Sequence, residues 1–194
     1  MPQDRDPRET VYELHISLRY SEPLIWRSVQ VTADTTLGDL HTIIQIVMEW
    51  YEEHLHDFEI RGGGSPFAHR RGDAWATELE LDEETVTLAD LGLNAKVKFT
   101  YTYDFGDSWV HEIRRKKILR RKNDVQYPVC VDGARAAPPE DCGGMWGYQE
   151  GLEILSDPDD EDYEWVHDWM GDWDPERFDL DEINERLGQV FPGA

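Results

Sequence analysis

Residues 11–20 alternate between apolar and polar positions. Tyr12, Leu14, Ile16, Leu18 and Tyr20 fall on one face, and Glu13, His15, Ser17 and Arg19 on the other. A period of two marks a half-buried strand. Ser21-Glu22-Pro23 is a turn signal, after which Ile25, Arg27, Val29 and Val31 mark a second strand expected to pair antiparallel with the first. The period changes after Thr36. Leu37, Leu40, Ile44, Val47 and Tyr51 recur at helical spacing, and Thr36 with Asp39 forms a variant capping box, so the pattern predicts an amphipathic helix over 37–51. Period two returns at 54–60, with His54, His56, Phe58 and Ile60 on one face.

Gly62-Gly-Gly-Ser-Pro66 breaks the pattern, and 62–95 reads as an irregular acidic insert with a weak apolar segment at 86–93. Residues 96–103 and 108–119 read as strands joined by a four-residue loop, Asp104-Phe-Gly-Asp107. Gly106 is expected to supply a positive φ there, and the two aspartates to bond turn amides. Pro128, Pro138 and Pro139 bracket a structured loop. Residues 147–155, 161–170 and 180–187 read as short helices, the last with Asp179 as N-cap and Gly188 at C′. The predicted fold is α+β: a mixed, mainly antiparallel sheet crossed by one helix, in a β-grasp-like ββαβ…ββ order, with a C-terminal cluster of short helices. The expected organisation is a flexible N-terminus over 1–10 and a single domain over 11–194. Within it, 11–122 is the sheet-plus-helix core and 123–194 the loop and helical appendage.

Composition narrows the function classes. With 39% hydrophobic residues and 8 Trp in 194 residues, the chain can bury a sizeable core. A net charge of −23 repels nucleic acid and anionic membrane, which makes direct DNA binding an unexpected role for most of the surface. The charge serves solubility, or else imitates nucleic acid or docks a basic protein partner. One basic run stands against it: Arg114, Arg115, Lys116 and Lys117, then Arg120, Arg121 and Lys122. It reads as a solvated strand end, as a partner for the acidic block at 157–164, or as a phosphate contact through residues 114–117. No apolar run spans a bilayer, no apolar leader opens the chain, and two cysteines make no disulfide scaffold, so the expectation is a cytoplasmic protein without membrane contact.

Several polar residues could carry chemistry. His54 and His56 lie two apart on a predicted strand, which would aim both imidazoles the same way. Asp104, Asp107, His111 and Glu112 come from a hairpin expected beside that strand. His54, His56, Asp104, Asp107 and His111 are therefore candidate ligands of a divalent transition metal such as zinc, manganese or iron; the competing reading is that the imidazoles cap the sheet edge. His41 borders the buried helix stripe, where a bond to Asp104 or Asp107 is expected. Glu140 and Asp141 are expected to cap the helix that follows, with Trp146 and Tyr148 packing it onto the sheet. Cys130 and Cys142 read as free thiols. Trp165, Trp169 and Trp173 recur every four residues, as a core stripe or as a docking face.

Segments spread along the chain share one family pattern: Pro23-Leu-Ile-Trp-Arg27, Thr36-Leu-Gly-Asp-Leu-His41, Ile44-Gln45, Trp50, His54-Leu-His56, Tyr103-Asp-Phe-Gly-Asp-Ser-Trp-Val-His111, Tyr127-Pro-Val-Cys130, Pro138-Pro-Glu-Asp-Cys-Gly-Gly144, Gly147-Tyr148, Phe178-Asp179 and Ile183-Asn184. Over about 11–187 the chain resembles the plasmid pRiA-type ORF-three-like family, also labelled an insertion-element passenger of TnpR type. The resemblance implies a compact α+β domain of bacteria and archaea, often near mobile elements, with no established activity. The chain departs from that pattern at Ala137, where many members carry Cys, and at Lys116, where relatives tend to be acidic. A serine recombinase needs an activated Ser among arginines, and Ser108 stands between Asp107 and Trp109. The expected role is a non-catalytic binding module whose functional face holds His41, His54, His56, Asp104, Asp107, Trp109, His111, Glu140 and Asp141. The alternatives are a metal-dependent, hydrolase-like enzyme using the same residues and an acidic nucleic-acid mimic.

Overall fold

A computed structural model describes residues 6–61, 82–93, 98–170 and 173–193. Among the described residues six strands form one sheet: β1 Thr10–Leu18, β2 Trp26–Thr32, β3 His56–Arg61, β4 Lys98–Tyr103, β5 Trp109–Arg120 and β6 Val129–Ala134. Their order across the sheet is β3-β4-β5-β1-β2-β6, and all five neighbouring pairs are antiparallel. The mixed sheet expected from the sequence thus narrows to an antiparallel one. The central strand β1 shows the predicted alternation from Leu14 to Leu18, with Leu14, Ile16 and Leu18 fully buried and His15 and Ser17 half-buried; earlier both faces are covered, Glu13 included, and Tyr20 lies beyond the strand, exposed.

Helix α1, Leu37–Met48, carries the chain from β2, near one edge of the sheet, to β3 at the other, so it crosses the core face. Thr36 and Asp39 close a reciprocal capping box at its start. It ends three residues earlier than the pattern predicts because Glu49 turns into the left-handed region, its N–H reaching back to Gln45 and Ile46. Leu37, Leu40, Ile43, Ile44 and Val47 pack on the sheet. Arg27 is also buried there: its Nε donates to the Val47 carbonyl at 2.7 Å, and one terminal nitrogen donates to the Trp26 and Ala134 carbonyls at 2.9 and 3.0 Å. A cation at this spot meets the negative end of the α1 dipole and joins β2 to β6. Burial pulls its pKa down to about 10, so it stays charged at neutral pH.

Strand β6 was read from sequence as part of a proline-bracketed loop. It forms at the edge because Asn184 accepts from the Cys130 N–H at 2.8 Å and donates to the Cys130 carbonyl at 2.9 Å. Three helices follow: α2 Gly144–Ser156, α3 Tyr163–Met170 and α4 Leu180–Val190. Asp179 caps α4 as expected, accepting from the Glu182 N–H. Gly188 does not end it; the helix runs on to Val190 with Phe191 at the C-cap. Of the tryptophan stripe, Trp173 packs against the core while Trp165 and Trp169 are exposed, because Val166 and Met170 are the residues α3 buries. Trp146 is exposed too, and Tyr148 alone of that pair packs inward.

Pro7–Glu9 form a short turn of 3-10 helix whose Pro7 carbonyl accepts from the Ala33 N–H. The predicted insert at 62–81 and 94–95 lies outside the described residues, as do 1–5 and the predicted strand start at 96–97. The apolar segment at 86–93 docks on the core through Leu88, Leu91 and Leu93. No described helix is long and apolar enough to cross a membrane.

Candidate metal centre

Three loops meet at one end of the sheet. The first links α1 to β3 and carries His54; the second is the β4–β5 hairpin loop with Asp104; the third precedes α2 and carries Asp141. One ligand atom from each of His54, Asp104 and Asp141 lies within 4.8 Å of the others. The Nε2 of His54 is 3.2 Å from Asp141 Oδ1 and 3.8 Å from Asp104 Oδ2. It is buried, yet neither carboxylate satisfies it with hydrogen-bond geometry. Asp104 is buried, and its Oδ1 accepts from the Gly106 N–H at 2.8 Å, which leaves Oδ2 turned toward the imidazole. This cluster is capable of coordinating a divalent metal ion: one imidazole and two carboxylates in a partly open mouth.

The loops are locked locally. The Asp104 N–H donates to the Leu55 carbonyl at 2.9 Å, tying the first loop to the second. Positive φ falls on Asp104 and Ser108, not on Gly106 as the turn pattern suggests. Asp tolerates this region because its short side chain bonds nearby amides. Asp107 stays outside the cluster; its Oδ2 accepts from the Gly143 N–H at 3.2 Å and fastens the hairpin to the start of α2. Gly144 permits that approach, since a Cβ there would meet the Asp107 carbonyl oxygen at 2.5 Å. Glu140 and Asp141 do not cap α2, whose N-cap is Gly143 with no side-chain bond. Instead Glu140 accepts from the Tyr103 hydroxyl at 2.5 Å and from the Tyr51 N–H at 2.9 Å, clamping the third loop to the first. Burial, with the Glu140 carboxylate beside it, raises the Tyr103 pKa and keeps the phenol protonated.

The other predicted site residues go elsewhere. His54 and His56 do not point together, because His54 precedes the β3 ladder and escapes its alternation. His56 stacks on His41 with centroids 3.6 Å apart, and its Nε2 donates to Glu83 at 2.9 Å. His41 bonds neither Asp104 nor Asp107. Gln45 donates to the Tyr101 hydroxyl at 2.9 Å, Tyr101 contacts His41 Nδ1 at 2.7 Å, and His41 Nε2 contacts Glu52 at 3.1 Å. Burial and then the neighbouring His56 hold His41 below the ordinary imidazole pKa. His111 is excluded as a ligand: it is sealed in the core, with Nδ1 donating to the Trp109 carbonyl at 3.1 Å, and burial drops its pKa to about 4. Trp109 is sealed beside it, against Trp50. Glu83 and Glu52 carried no sequence signal, since each gains its role from a partner apart in the chain; Tyr51, expected on the buried helix stripe, lies past the end of α1 and is exposed.

In the basic run, Arg114 pairs with Glu112, Lys117 with Glu13 at 2.8 Å, and Arg115 lies over the Tyr12 ring. Lys116 is exposed. Cys130 and Cys142 are free thiols, pushed up by burial to about 11 and about 12, which makes both poor nucleophiles.

A family model described as Plasmid pRiA4b ORF-3-like protein matches residues 10–182. An uncharacterized protein of Sinorhizobium fredii, y4hQ, is 32% identical over 186 residues, which is 93% of this chain and 92% of that relative. The crystal structure of a protein of unknown function, MM3350 from Methanosarcina mazei Go1, superposes with a TM-score of 0.76 at 41% identity, covering 89% of this chain and 96% of the other. The chain belongs to the Plasmid pRiA4b ORF-3-like protein family.

Proposed function

We propose that this protein is a metal-dependent enzyme of hydrolytic type, with His54, Asp104 and Asp141 holding one divalent transition metal ion. The observation that carries the reading is the convergence of two carboxylate oxygens, from two further loops, on a buried His54 Nε2 that has no hydrogen bond among the described residues. Three protein ligands leave coordination positions for water and substrate, as catalytic sites do and closed structural sites do not. One nitrogen and two oxygen donors suit manganese, iron or zinc, whereas a soft thiolate set would select other metals. A bound ion of this kind would acidify water or polarise a carbonyl. The chain's own contribution is to fix the ligands: Gly106 orients Asp104, and the Glu140 clamp on Tyr103 and Tyr51 sets the loop that bears Asp141. A plasmid or mobile-element accessory setting in the cytoplasm is part of this proposal, and for the setting only the family name supports it.

Elemental analysis tests the assignment, on protein purified without chelator or affinity metal and then dialysed against zinc or manganese. About one equivalent should be retained by the wild type and by His56→Ala, and lost in His54→Ala and Asp104→Asn. Equal metal content in all four proteins, or none in the wild type, refutes it.

A second reading, a binding module, is favoured by Trp165 and Trp169, exposed one turn apart on α3. Between Arg135 and Arg177 the chain contains no lysine or arginine. An acidic helix with two open indole faces suits an Arg- or Lys-rich segment of a protein partner.

A further inference from the structure

Two of the loops that carry the candidate ligands also carry large exposed apolar side chains. Tyr51 and Leu55, 79% and 74% exposed, flank His54; Phe105, 58% exposed, follows Asp104 directly. The backbone brings them together. Leu55 accepts from the Asp104 N–H, and Tyr51 donates to Glu140, the neighbour of Asp141. Each of the two loops that are rigidly joined at the centre thus carries a ligand and at least one open apolar group. On an ordinary solvated surface such residues occur singly; here three stand on the two loops that carry His54 and Asp104.

Charge sharpens the picture. Residues 49–60, 99–113 and 136–176, which carry the three ligands, contain no lysine or arginine. The carboxylates that tie these loops together are Asp107 on Gly143 and Glu140 on Tyr103 and Tyr51, with Glu52 two residues before His54. The described cations on adjoining segments are already engaged, Arg177 with Glu49 and Glu182, Arg135 with Glu176, Arg19 with Glu112. Phosphate recognition ordinarily relies on arginine forks or lysine, and a carboxylate-rich rim repels a dianion.

We infer that the ligand of this centre is a neutral or cationic carbonyl compound bearing an aromatic or aliphatic group, seated against Tyr51, Leu55 and Phe105, and not a phosphorylated one. The inference rests on the metal reading above. The carbonyl oxygen takes an open coordination position and the apolar group covers the rim.

Calorimetric titration of the zinc-loaded full-length protein separates the two claims. Zinc content is measured first; if no zinc is held, the metal reading and this inference fall together. With zinc in place, benzohydroxamate is compared with acetohydroxamate and phenyl phosphate. Benzohydroxamate should bind at least about tenfold tighter than acetohydroxamate, since the ring is removed from water. It should also outbind phenyl phosphate. The triple variant Tyr51→Ala, Leu55→Ala, Phe105→Ala should keep its zinc, which shows that it is folded, and lose the preference for the aromatic hydroxamate. Equal affinity for the two hydroxamates, a tighter phenyl phosphate, or an undiminished preference in the triple variant overturns the ligand class while leaving the metal assignment intact.

Discussion

Acid should weaken this protein through His111. The imidazole sits on β5 in the middle of the sheet, edge-on to Trp50 at 5.3 Å and beside Tyr101 at 5.6 Å. Among the described residues its Nε2 has no hydrogen bond, and the Tyr101 and Trp109 backbone offsets only part of the cost of a proton sealed there. Burial, and the Arg27 cation after it, bring the folded-state pKa to about 4 from an ordinary 6.5. The unfolded chain therefore takes up a proton below pH 6.5 that the folded chain refuses until about pH 4. Stability is complete above pH 6.5 and declines as the pH falls through that window. At about 1.4 kcal/mol per pH unit the whole gap is worth about 3 kcal/mol, of which about 2 kcal/mol is spent by pH 5. Set against a typical total of about 5–15 kcal/mol, that is a large share.

The comparison is urea unfolding, followed by tryptophan fluorescence, at pH 7.5 and pH 5 for the wild type and His111→Phe. Phenylalanine keeps the ring contact with Trp50 and forfeits the bond to the Trp109 carbonyl, so the variant starts about 1 kcal/mol lower at pH 7.5. Between the two pH values the wild type should lose about 2 kcal/mol more than the variant. His41 and the paired carboxylates titrate in both proteins and cancel. Parallel losses in the two proteins would refute the reasoning, and would mean that water or a rearranged neighbour stabilises the imidazolium.

Replacing Arg27 with Met strips a charged donor from the Val47, Trp26 and Ala134 carbonyls and should cost about 3 kcal/mol, read as a lower urea midpoint at unchanged slope. A loss below about 0.5 kcal/mol would show that those carbonyls find other donors. For the α3 face, fluorescence anisotropy of labelled octa-arginine should show affinity about tenfold weaker for Trp165→Ala, Trp169→Ala than for the wild type. Unchanged affinity would reduce that binding to the field of the net charge.

The fold was legible where one local rule governed a whole element. The alternation in the second half of β1 and the capping box on α1 are written within a few residues, and each formed where it was expected. Strand β6 was not legible because its register depends on Asn184, a residue 54 positions away that saturates the Cys130 backbone. Gly106 misled for a related reason: the hairpin loop took its left-handed residues at Asp104 and Ser108, where an aspartate side chain substitutes for glycine's freedom. At the site, His54 and Asp104 stood among the candidate ligands, whereas Asp141 was expected to cap α2 and joins the cluster only through the fold. What the sequence could not convey is that His54 lies before the ladder begins, so that a spacing of two separates it from His56 instead of aligning them.

Left-handed backbone at Asp104 and Asp141 does not by itself argue for function, since aspartates adopt it in many turns at a cost of about 1 kcal/mol. The stronger argument is what the two strained turns share. Each delivers a carboxylate oxygen to the same imidazole nitrogen, and each is held by a bond from the loop that carries that imidazole: Asp104 through the Leu55 carbonyl, the Asp141 loop through the Tyr51 N–H. A purely structural histidine would have been satisfied by one of those oxygens in line with its ring nitrogen. Here both sit near it and neither bonds it, an arrangement in which an ion between the three groups would resolve carboxylate repulsion and the orphaned nitrogen together. The clamps fix where the loops meet, and the cluster capable of holding an ion is built from three side chains that no single stretch of sequence contains.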